Sequence, residues 1–286
     1  MSRVAAIQMT SQPDVQENLH IAAGLIARAA EQGAELVLLP ECFAALGNRS
    51  LAAIAAAEFG TKRPIRRFLA EQSREHGIWL IGGSLPVPRV PGGKPMATQL
   101  VVDEQGQEVA RYDKLHLFDV DVSDRHNTYR ESRDYDFGNA LVCLDSPVGR
   151  LGLSICYDVR FPELYQGLRL SGAELIVVPA AFTAVTGAAH WEVLLRARAI
   201  ETQCYLLAAN QTGTHAGGRQ TFGHSCLIDP WGELVAVLPE GPGIAAGELD
   251  RGLLSEVRQR MPIIEHRRFA PPASPQPVAK ESNQNE

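Results

Sequence analysis

Short apolar runs alternate with longer stretches of helical periodicity along this chain. An apolar run at Val4–Gln8 is followed by a helical pattern over Val15–Gln32, and a second run, Glu35–Leu39, ends just before a proline. The same order recurs as an apolar run over Leu151–Ile155 and a helical pattern over Pro162–Ser171. Strands that alternate with helices in this way are typical of β-α-β units with parallel strands.

The chain also contains a diverged internal repeat. Residues 33–43 (GAELVLLPECF) recur as residues 172–182 (GAELIVVPAAF), and a hairpin signal with an Asp and a Gly three positions apart occurs in 100–110 and again in 226–236. Such spacing suits a tight turn with one positive-φ position. Neither half alone would have its inner sheet face covered. We therefore expect one α/β domain, a four-layer α-β-β-α sandwich of two pseudo-symmetric halves.

Composition narrows the class of protein. The chain has 286 residues, 45% of them hydrophobic, and a net charge of −6, which gives no reason to expect nucleic acid or an anionic membrane as a partner. No apolar run approaches the ~20 residues of a membrane span, and no signal peptide precedes the first strand, so the cytoplasm is the expected location. Five cysteines without Cys-x-x-Cys spacing predict free thiols and no metal site. We expect the domain to cover 1–269 and the proline-rich, polar segment 270–286 to be a disordered tail.

Cys156 is the residue most suggestive of chemistry. It follows the apolar run Leu151–Ile155, and Pro162, six positions later, is suited to the first turn of a helix. A thiol at a strand-to-helix turn is directed outward from the sheet, beside backbone N–H groups that can bind an oxyanion. Taken alone, a cysteine here is more often an inert core residue.

Three further residues stand in contexts that support a catalytic role. Glu41 follows the proline at the end of the second apolar run, Lys114 follows a hairpin among apolar residues, and Glu131 lies 25 positions before Cys156. Each has an ordinary alternative: a carboxylate at a helix start, an exposed hairpin lysine, and an acid in a solvated loop. The other cysteines, Cys42, Cys143, Cys204 and Cys226, are interpreted as packing residues, and Cys42 is expected to point away from Glu41.

Together, the four motifs and their order resemble the carbon–nitrogen hydrolase (nitrilase) superfamily over about residues 3 to 269. Residues 190–205 and 223–232 are most similar to deaminated glutathione amidases. The resemblance implies the same four-layer sandwich, no cofactor, no metal, a homodimer or higher homo-oligomer, and cleavage of a small amide with an α-keto acid end. Residues 123–127 depart from the shorter, glycine-containing loop expected in animal members and adjoin Glu131.

Amide hydrolysis through a thioester assigns a role to each residue. Cys156 attacks the amide carbon, and Glu41 takes the thiol proton, delivers it to the leaving nitrogen and then activates water. Lys114 and the backbone N–H of Tyr157 hold the oxyanion, and Glu131 orients Lys114. We expect burial to raise the pKa of Glu41 and the nearby lysine to lower that of Cys156.

Substrate recognition follows from the resemblance, which implies that Arg160, Phe182 and Thr186 contact the α-keto acid end. The ordinary alternative for Arg160 is a structural ion pair with Asp158 or Glu163. The expected function is therefore hydrolysis of deaminated glutathione to 2-oxoglutarate and cysteinylglycine. Alternatives are an ω-amidase acting on 2-oxoglutaramate, an N-carbamoyl amino acid hydrolase and, more remotely, a non-catalytic binding protein on the same fold.

Overall fold

The computed structural model describes residues 1–47, 51–124 and 128–269. Arg125, His126 and Asn127, in the segment expected to border the site, lie outside the described residues, as does the predicted tail 270–286. In the described part, the helices are α1 (Val15–Glu31), α2 (Leu51–Phe59), α3 (Pro64–His76), α4 (Pro162–Leu170), α5 (Ala184–Thr202) and α6 (Arg251–Arg260). The strands are β1 (Ser2–Gln8), β2 (Leu36–Leu38), β3 (Trp79–Ile81), β4 (Leu85–Pro88), β5 (Pro95–Val102), β6 (Glu108–Asp113), β7 (Asp119–Asp121), β8 (Thr128–Arg130), β9 (Cys143–Ser146), β10 (Gly149–Leu153), β11 (Leu175–Ala180), β12 (Tyr205–Asn210), β13 (Thr212–Thr214), β14 (Gln220–Phe222), β15 (Ser225–Ile228), β16 (Leu234–Leu238) and β17 (Gly243–Leu249).

Two mixed sheets form the centre of the fold. The first has the strand order β17-β1-β2-β3-β5-β4, with β6 paired to β5, and the second has the order β16-β15-β12-β11-β10-β9. In each sheet a parallel set lies at the centre, β1-β2-β3 in the first and β10-β11-β12 in the second. The predicted hairpins are confirmed as the pairs β5-β6 and β15-β16.

Alternating side chains on the strands build the layers. On β1, Val4 and Ala6 belong to the core between the sheets, whereas Ala5 and Ile7 belong to a second core formed with helices α1 and α3. This is the period-two alternation of a strand buried on both faces. Helices α4 and α5 cover the second sheet through buried residues that include Tyr165 and Trp191. The four-layer α-β-β-α sandwich predicted from the repeat is thus confirmed.

Local sequence signals start the two helices nearest the site. Pro162 occupies the first turn of α4, where its missing N–H costs nothing and its fixed φ suits the helix. Thr183 is the N-cap of α5, and its hydroxyl accepts from the backbone N–H of Thr186. The segment predicted as an irregular stretch before Glu131 instead contains a short hairpin, β7-β8, and a 3-10 helix over Glu131–Arg133.

Candidate active site

Glu41 lies three residues beyond the end of β2 and is 5% exposed. Its Oε1 accepts from Nζ of Lys114 at 2.8 Å, and its Oε2 accepts from the backbone N–H of Ala181 at 2.9 Å. Its own carbonyl oxygen accepts from Nε2 of Gln211 at 3.0 Å. Because Ala181 and Gln211 belong to the second half of the chain, both halves fix the orientation of this one carboxylate.

Lys114 directly follows β6 and is only 1% exposed, which makes it one of the most buried large side chains in the protein. Besides Glu41, its Nζ donates to both carboxylate oxygens of Glu131, at 3.0 and 2.9 Å. Glu131 is itself held by the backbone N–H of Phe118, which donates to Oε2 at 2.6 Å. The lysine therefore has a single well-defined position between two carboxylates.

Cys156 is the first residue of a 3-10 helix, Cys156–Arg160, and is 7% exposed. Its φ of 48° lies in the left-handed region, which is strained for a residue with a side chain and occurs often at functional sites. The thiol lies close enough to the Glu41 carboxylate and to the backbone N–H of Ala181 for both groups to influence its pKa. The strand-end cysteine and the strand-end glutamate thus meet, although they are 115 positions apart (156 − 41).

The register of the two sheets supports the internal repeat as the reason why Glu41 and Cys156 come together. Val4 pairs with Leu36 in the first sheet, and Leu151 pairs with Leu175 in the second. Counting five residues on from Val4 and from Leu151 gives Met9 and Cys156 as equivalent positions. Each half supplies the reactive side chain that the other half lacks.

A buried carboxylate that the sequence motifs did not single out anchors the turn of the nucleophile. Asp158 is fully buried and accepts from the backbone N–H of Ile155 at 2.9 Å and from the hydroxyl of Tyr112 at 2.7 Å. It also contacts Nδ1 of His116 at 2.7 Å and accepts from the backbone N–H of that histidine at 3.1 Å. Tyr112 and His116 flank Lys114 in sequence, so Asp158 connects the turn of the nucleophile to the segment that carries the lysine.

The electrostatics of the cluster correct two expectations, the pKa directions of Glu41 and of Cys156. Burial alone would raise the pKa of Glu41, but the ion pair and hydrogen bond with Lys114 outweigh it, and the pKa lies below its ordinary value. Burial, followed by the Glu41 carboxylate, raises the pKa of Cys156 well above that of an ordinary thiol, and Lys114 offsets only part of this. The predicted directions, a raised glutamate and a lowered cysteine, were both wrong because the lysine is closely paired with the glutamate rather than with the sulfur.

Glu131 shows the opposite shift from Glu41. Burial and the neighbouring Glu41 carboxylate raise the pKa of Glu131, although Lys114 and the N–H of Phe118 oppose this. Burial alone would lower the pKa of Lys114, but the carboxylates of Glu131 and Glu41 raise it well above its ordinary value. The lysine is therefore a fixed positive charge at neutral pH, positioned to stabilise a developing oxyanion.

A cavity of about 590 Å³ opens above this cluster. Three of the remaining predicted site residues, Tyr157, Phe182 and Thr186, line its wall beside the catalytic side chains. Apolar side chains of α2 and of the segment before it supply another part of the wall. Since small-molecule sites are concave, mostly apolar and provided with a few convergent polar groups, the cavity has the character of a substrate pocket.

Arg160 occupies a different position from the other predicted contacts, because it does not contribute to the described wall of the cavity. Its guanidinium lies 5.2 Å from the centroid of the Phe182 ring and 5.7 Å from that of Tyr157, with Nη1 and Nη2 each 3.3 Å from Nδ1 of His190. In the described residues it forms no ion pair with Asp158 or Glu163, the structural alternative that the sequence left open. Arg160 therefore packs against two residues of the cavity wall, Tyr157 and Phe182.

Two features of the wall differ from the sequence-based interpretation. Cys42, expected to point away from Glu41, lines the same cavity, because its φ of 56° turns the chain back after the strand has ended. Arg219, which sequence reasoning missed, also lines the cavity. It lies in a glycine-containing turn between β13 and β14, without a recognisable motif around it.

No group of three or more His, Cys, Asp or Glu side chains in the ranges 1–47, 51–124 and 128–269 is arranged to hold a metal ion. Over the same ranges, no helix is long and apolar enough to cross a membrane.

Comparison with known proteins decides the family. A model of the carbon–nitrogen hydrolase family matches residues 3–259, most of the chain. The protein belongs to the carbon–nitrogen hydrolase family. It is therefore a hydrolase of carbon–nitrogen bonds other than peptide bonds, and the superfamily predicted from the four motifs is confirmed.

Individual relatives agree in sequence and in fold. The chain is 48% identical over 269 residues to a deaminated glutathione amidase of Synechocystis sp., a match that covers 93% of this chain and 97% of the relative. It superposes on the crystal structure of the Caenorhabditis elegans NitFhit protein with a TM-score of 0.85 at 42% identity, covering 93% of this chain and 65% of the other. An amidase from Nesterenkonia sp. AN1, solved with acrylamide added to its active site cysteine, matches with a TM-score of 0.75 at 30% identity, covering 93% of this chain and 100% of that one.

Proposed function

We propose that this carbon–nitrogen hydrolase cleaves the amide bond of deaminated glutathione and releases 2-oxoglutarate and cysteinylglycine. The observation that carries the proposal is the 48% identity to a deaminated glutathione amidase over nearly the full length of both chains. The cluster of Glu41, Lys114 and Cys156 at a cavity of about 590 Å³ supports it independently, because it contains the groups that amide cleavage requires.

Acylation begins with attack of the Cys156 sulfur on the amide carbon. Glu41, whose carboxylate lies beside the thiol, takes its proton as the carbon–sulfur bond forms. The same carboxylic acid then gives that proton to the amide nitrogen, the carbon–nitrogen bond breaks, and cysteinylglycine leaves as a neutral amine. What remains is a thioester between the 2-oxoglutaryl group and Cys156.

Charge on the tetrahedral intermediate is stabilised by Lys114 and by the backbone N–H of Tyr157. Tyr157 lies in the first turn of the 3-10 helix that begins at Cys156, where backbone N–H groups are not used by the helix itself. Lys114 is held by Glu41 and Glu131 and so needs no reorganisation during the reaction. Loss of one such donor typically costs about 3–4 kcal/mol of transition-state stabilisation.

Deacylation reverses the roles with water as the nucleophile. Glu41, which has returned to the carboxylate form, takes a proton from water as the hydroxyl oxygen attacks the thioester carbon. The carbon–sulfur bond breaks, the sulfur regains a proton from Glu41, and 2-oxoglutarate leaves. A carboxylate whose pKa lies below its ordinary value is ready to accept a proton in both half-reactions.

Phe182 and Thr186 contact the 2-oxoglutaryl part of the substrate in this proposal, and Arg160 supports it from behind the wall. Phe182 and Thr186 line the cavity, and the guanidinium of Arg160 lies over the Phe182 ring.

The proposal includes a homodimer or higher homo-oligomer, supported by exposed apolar side chains on α5, namely Val185, Val193 and Ile200. It also places the enzyme in the cytoplasm, supported by the five free cysteines, since disulfide bonds are rare in that reducing compartment.

The test is a comparison of kcat/KM for deaminated glutathione, 2-oxoglutaramate and an N-carbamoyl amino acid with the purified full chain. We expect deaminated glutathione to be the best substrate, because the large cavity accommodates a leaving group of two residues. A clear preference for 2-oxoglutaramate would instead assign the protein as an ω-amidase, and a preference for the N-carbamoyl compound would assign it as a carbamoyl amino acid hydrolase.

A further inference from the structure

Among the described residues, the cavity wall contains two arginine side chains, and the bonds that hold them differ. The guanidinium of Arg130 donates to two backbone carbonyl oxygens, at 3.0 and 2.7 Å, and pairs with the carboxylate of Asp121 at 2.9 Å. Arg219 donates from Nη2 to the carbonyl oxygen of Ala181 at 2.7 Å and forms no ion pair with any carboxylate of the described residues. The guanidinium of Arg130 is therefore held by three groups of the protein, whereas that of Arg219 has a single described hydrogen bond and further N–H donors without one.

One of these donors has an unusual environment. The Nε–H of Arg219 is buried and has no hydrogen-bond partner among the described residues, while the guanidinium lies 5.5 Å from the centroid of the Tyr129 ring. Buried donors are satisfied in nearly all native structures, and a charged donor is the most costly to leave unpaired. Because the side chain of Arg219 lines the cavity and has no carboxylate partner among the described residues, its charge is available to an anionic group of a ligand.

The position of Arg219 relates it to the reacting groups. Ala181 uses its N–H to hold Glu41 and its carbonyl oxygen to hold Arg219, so a single residue joins the carboxylate base to the guanidinium. The other described cations of the wall, Lys114 and Arg130, are already paired with carboxylates of the protein. A planar guanidinium offers parallel N–H donors that match the two oxygens of a carboxylate.

We propose that Arg219 binds a carboxylate of the substrate and thereby selects amides that carry one. The proposal rests on the proposed function, because deaminated glutathione has a carboxylate at each end, one on the 2-oxoglutaryl part and one on the glycine of the leaving dipeptide. The shared chemistry is a carboxylate within reach of the scissile amide. The choice of substrates in the experiment distinguishes the two ends.

The test compares Arg219→Gln and Arg219→Lys with the wild type on four substrates. These are deaminated glutathione, its derivative with the glycine carboxylate converted to an amide, 2-oxoglutaramate, and uncharged butyramide. We expect Arg219→Gln to lower kcat/KM for the substrates with the recognised carboxylate by about 10- to 150-fold more than it lowers kcat/KM for butyramide, as for a lost charge-assisted hydrogen bond. Arg219→Lys should recover part of the loss.

The pattern across substrates assigns the end that Arg219 recognises. A loss of kcat/KM with 2-oxoglutaramate shows that Arg219 binds the carboxylate on the acyl side of the amide. A loss with deaminated glutathione that disappears with the glycine amide shows that Arg219 binds the carboxylate of the leaving dipeptide. Arg160→Lys serves as the comparison for the residue expected from the family resemblance. Arg67→Gln, on the exposed face of α3, serves as the control for loss of an arginine charge.

A structural role for Arg219 predicts a different result. If the bond to the Ala181 carbonyl were its whole purpose, every variant would lose activity equally on all four substrates, including butyramide, and the proposal would be overturned. Calorimetry on Cys156→Ser gives a readout without turnover: adding Arg219→Gln should weaken binding of 2-oxoglutarate or of cysteinylglycine, and unchanged binding of both would also overturn it. Wild-type preference for another carboxylate-bearing amide would refute only the named substrate.

Discussion

At the scale of single residues, the resting state of the nucleophile is a neutral thiol beside a carboxylate. The pKa of Cys156 is raised well above its ordinary value by burial and by Glu41, and the pKa of Glu41 is lowered by Lys114 against the effect of burial. Proton transfer therefore accompanies attack on the substrate instead of preceding it. This differs from cysteine enzymes whose thiolate forms in advance beside a histidine.

This state predicts how Cys156 reacts with methyl methanethiosulfonate, a small neutral thiol reagent. Because the thiolate is the reactive form, the rate at Cys156, followed by peptide mass mapping, should keep rising as the pH passes the ordinary thiol value of about 8.5. Glu41→Gln removes the charge that raises the pKa of Cys156 and leaves Lys114 close by, so that variant should react faster near neutral pH. A wild-type rate that is already constant below pH 7 would contradict a resting thiol.

At the scale of elements, the ends of the parallel strands place the reactive groups, and a close backbone approach fixes one of them. Gly83, just beyond β3, has a φ of 28°, and a Cβ built there would lie 1.9 Å from the carbonyl oxygen of Pro40. Pro40 directly precedes Glu41. A side chain at position 83 therefore has to push away the segment that carries the base.

Gly83→Ala tests this dependence. We expect a lower Tm and a loss of kcat, because the clash is with backbone that cannot rotate away. Gly24→Ala in α1 is the matched control: its Cβ would meet nothing within 4 Å, and the change should be neutral or stabilise by up to about 1 kcal/mol. Thermal unfolding and steady-state kinetics of both variants provide the comparison. Equal behaviour of the two would show that the approach to Pro40 does not position Glu41.

At the scale of the whole molecule, the site exists only because the two halves of the sandwich pack together. Glu41 comes from the first half, Cys156 from the second, and Gln211 of the second half bonds both Ser11 and the carbonyl of Glu41 in the first. The isolated β-bridge between Met9 and Gln211 lies at the same junction. The catalytic cluster therefore depends on the packed interface between the two halves.

The sequence predicts those parts that depend on local pattern. The repeat and the hairpin signals indicate the two sheets and the layers, and short motifs indicate that Glu41, Lys114 and Cys156 meet. Features that depend on three-dimensional neighbours are not predictable in this way. Asp158 becomes an anchor only when two distant segments converge on it, Arg219 reaches the cavity from an unremarkable turn, and the pKa directions follow from which group Lys114 contacts most closely.

The central claim is that the whole chain hydrolyses deaminated glutathione through a thioester on Cys156. The most direct measurement is intact-protein and peptide mass spectrometry of the enzyme quenched with acid soon after mixing with deaminated glutathione. We predict an added mass of one 2-oxoglutaryl group on the peptide that contains Cys156, removed by hydroxylamine and absent in Cys156→Ser. Turnover of the substrate without such an adduct at any quench time, or retention of wild-type activity by Cys156→Ser, would contradict the account.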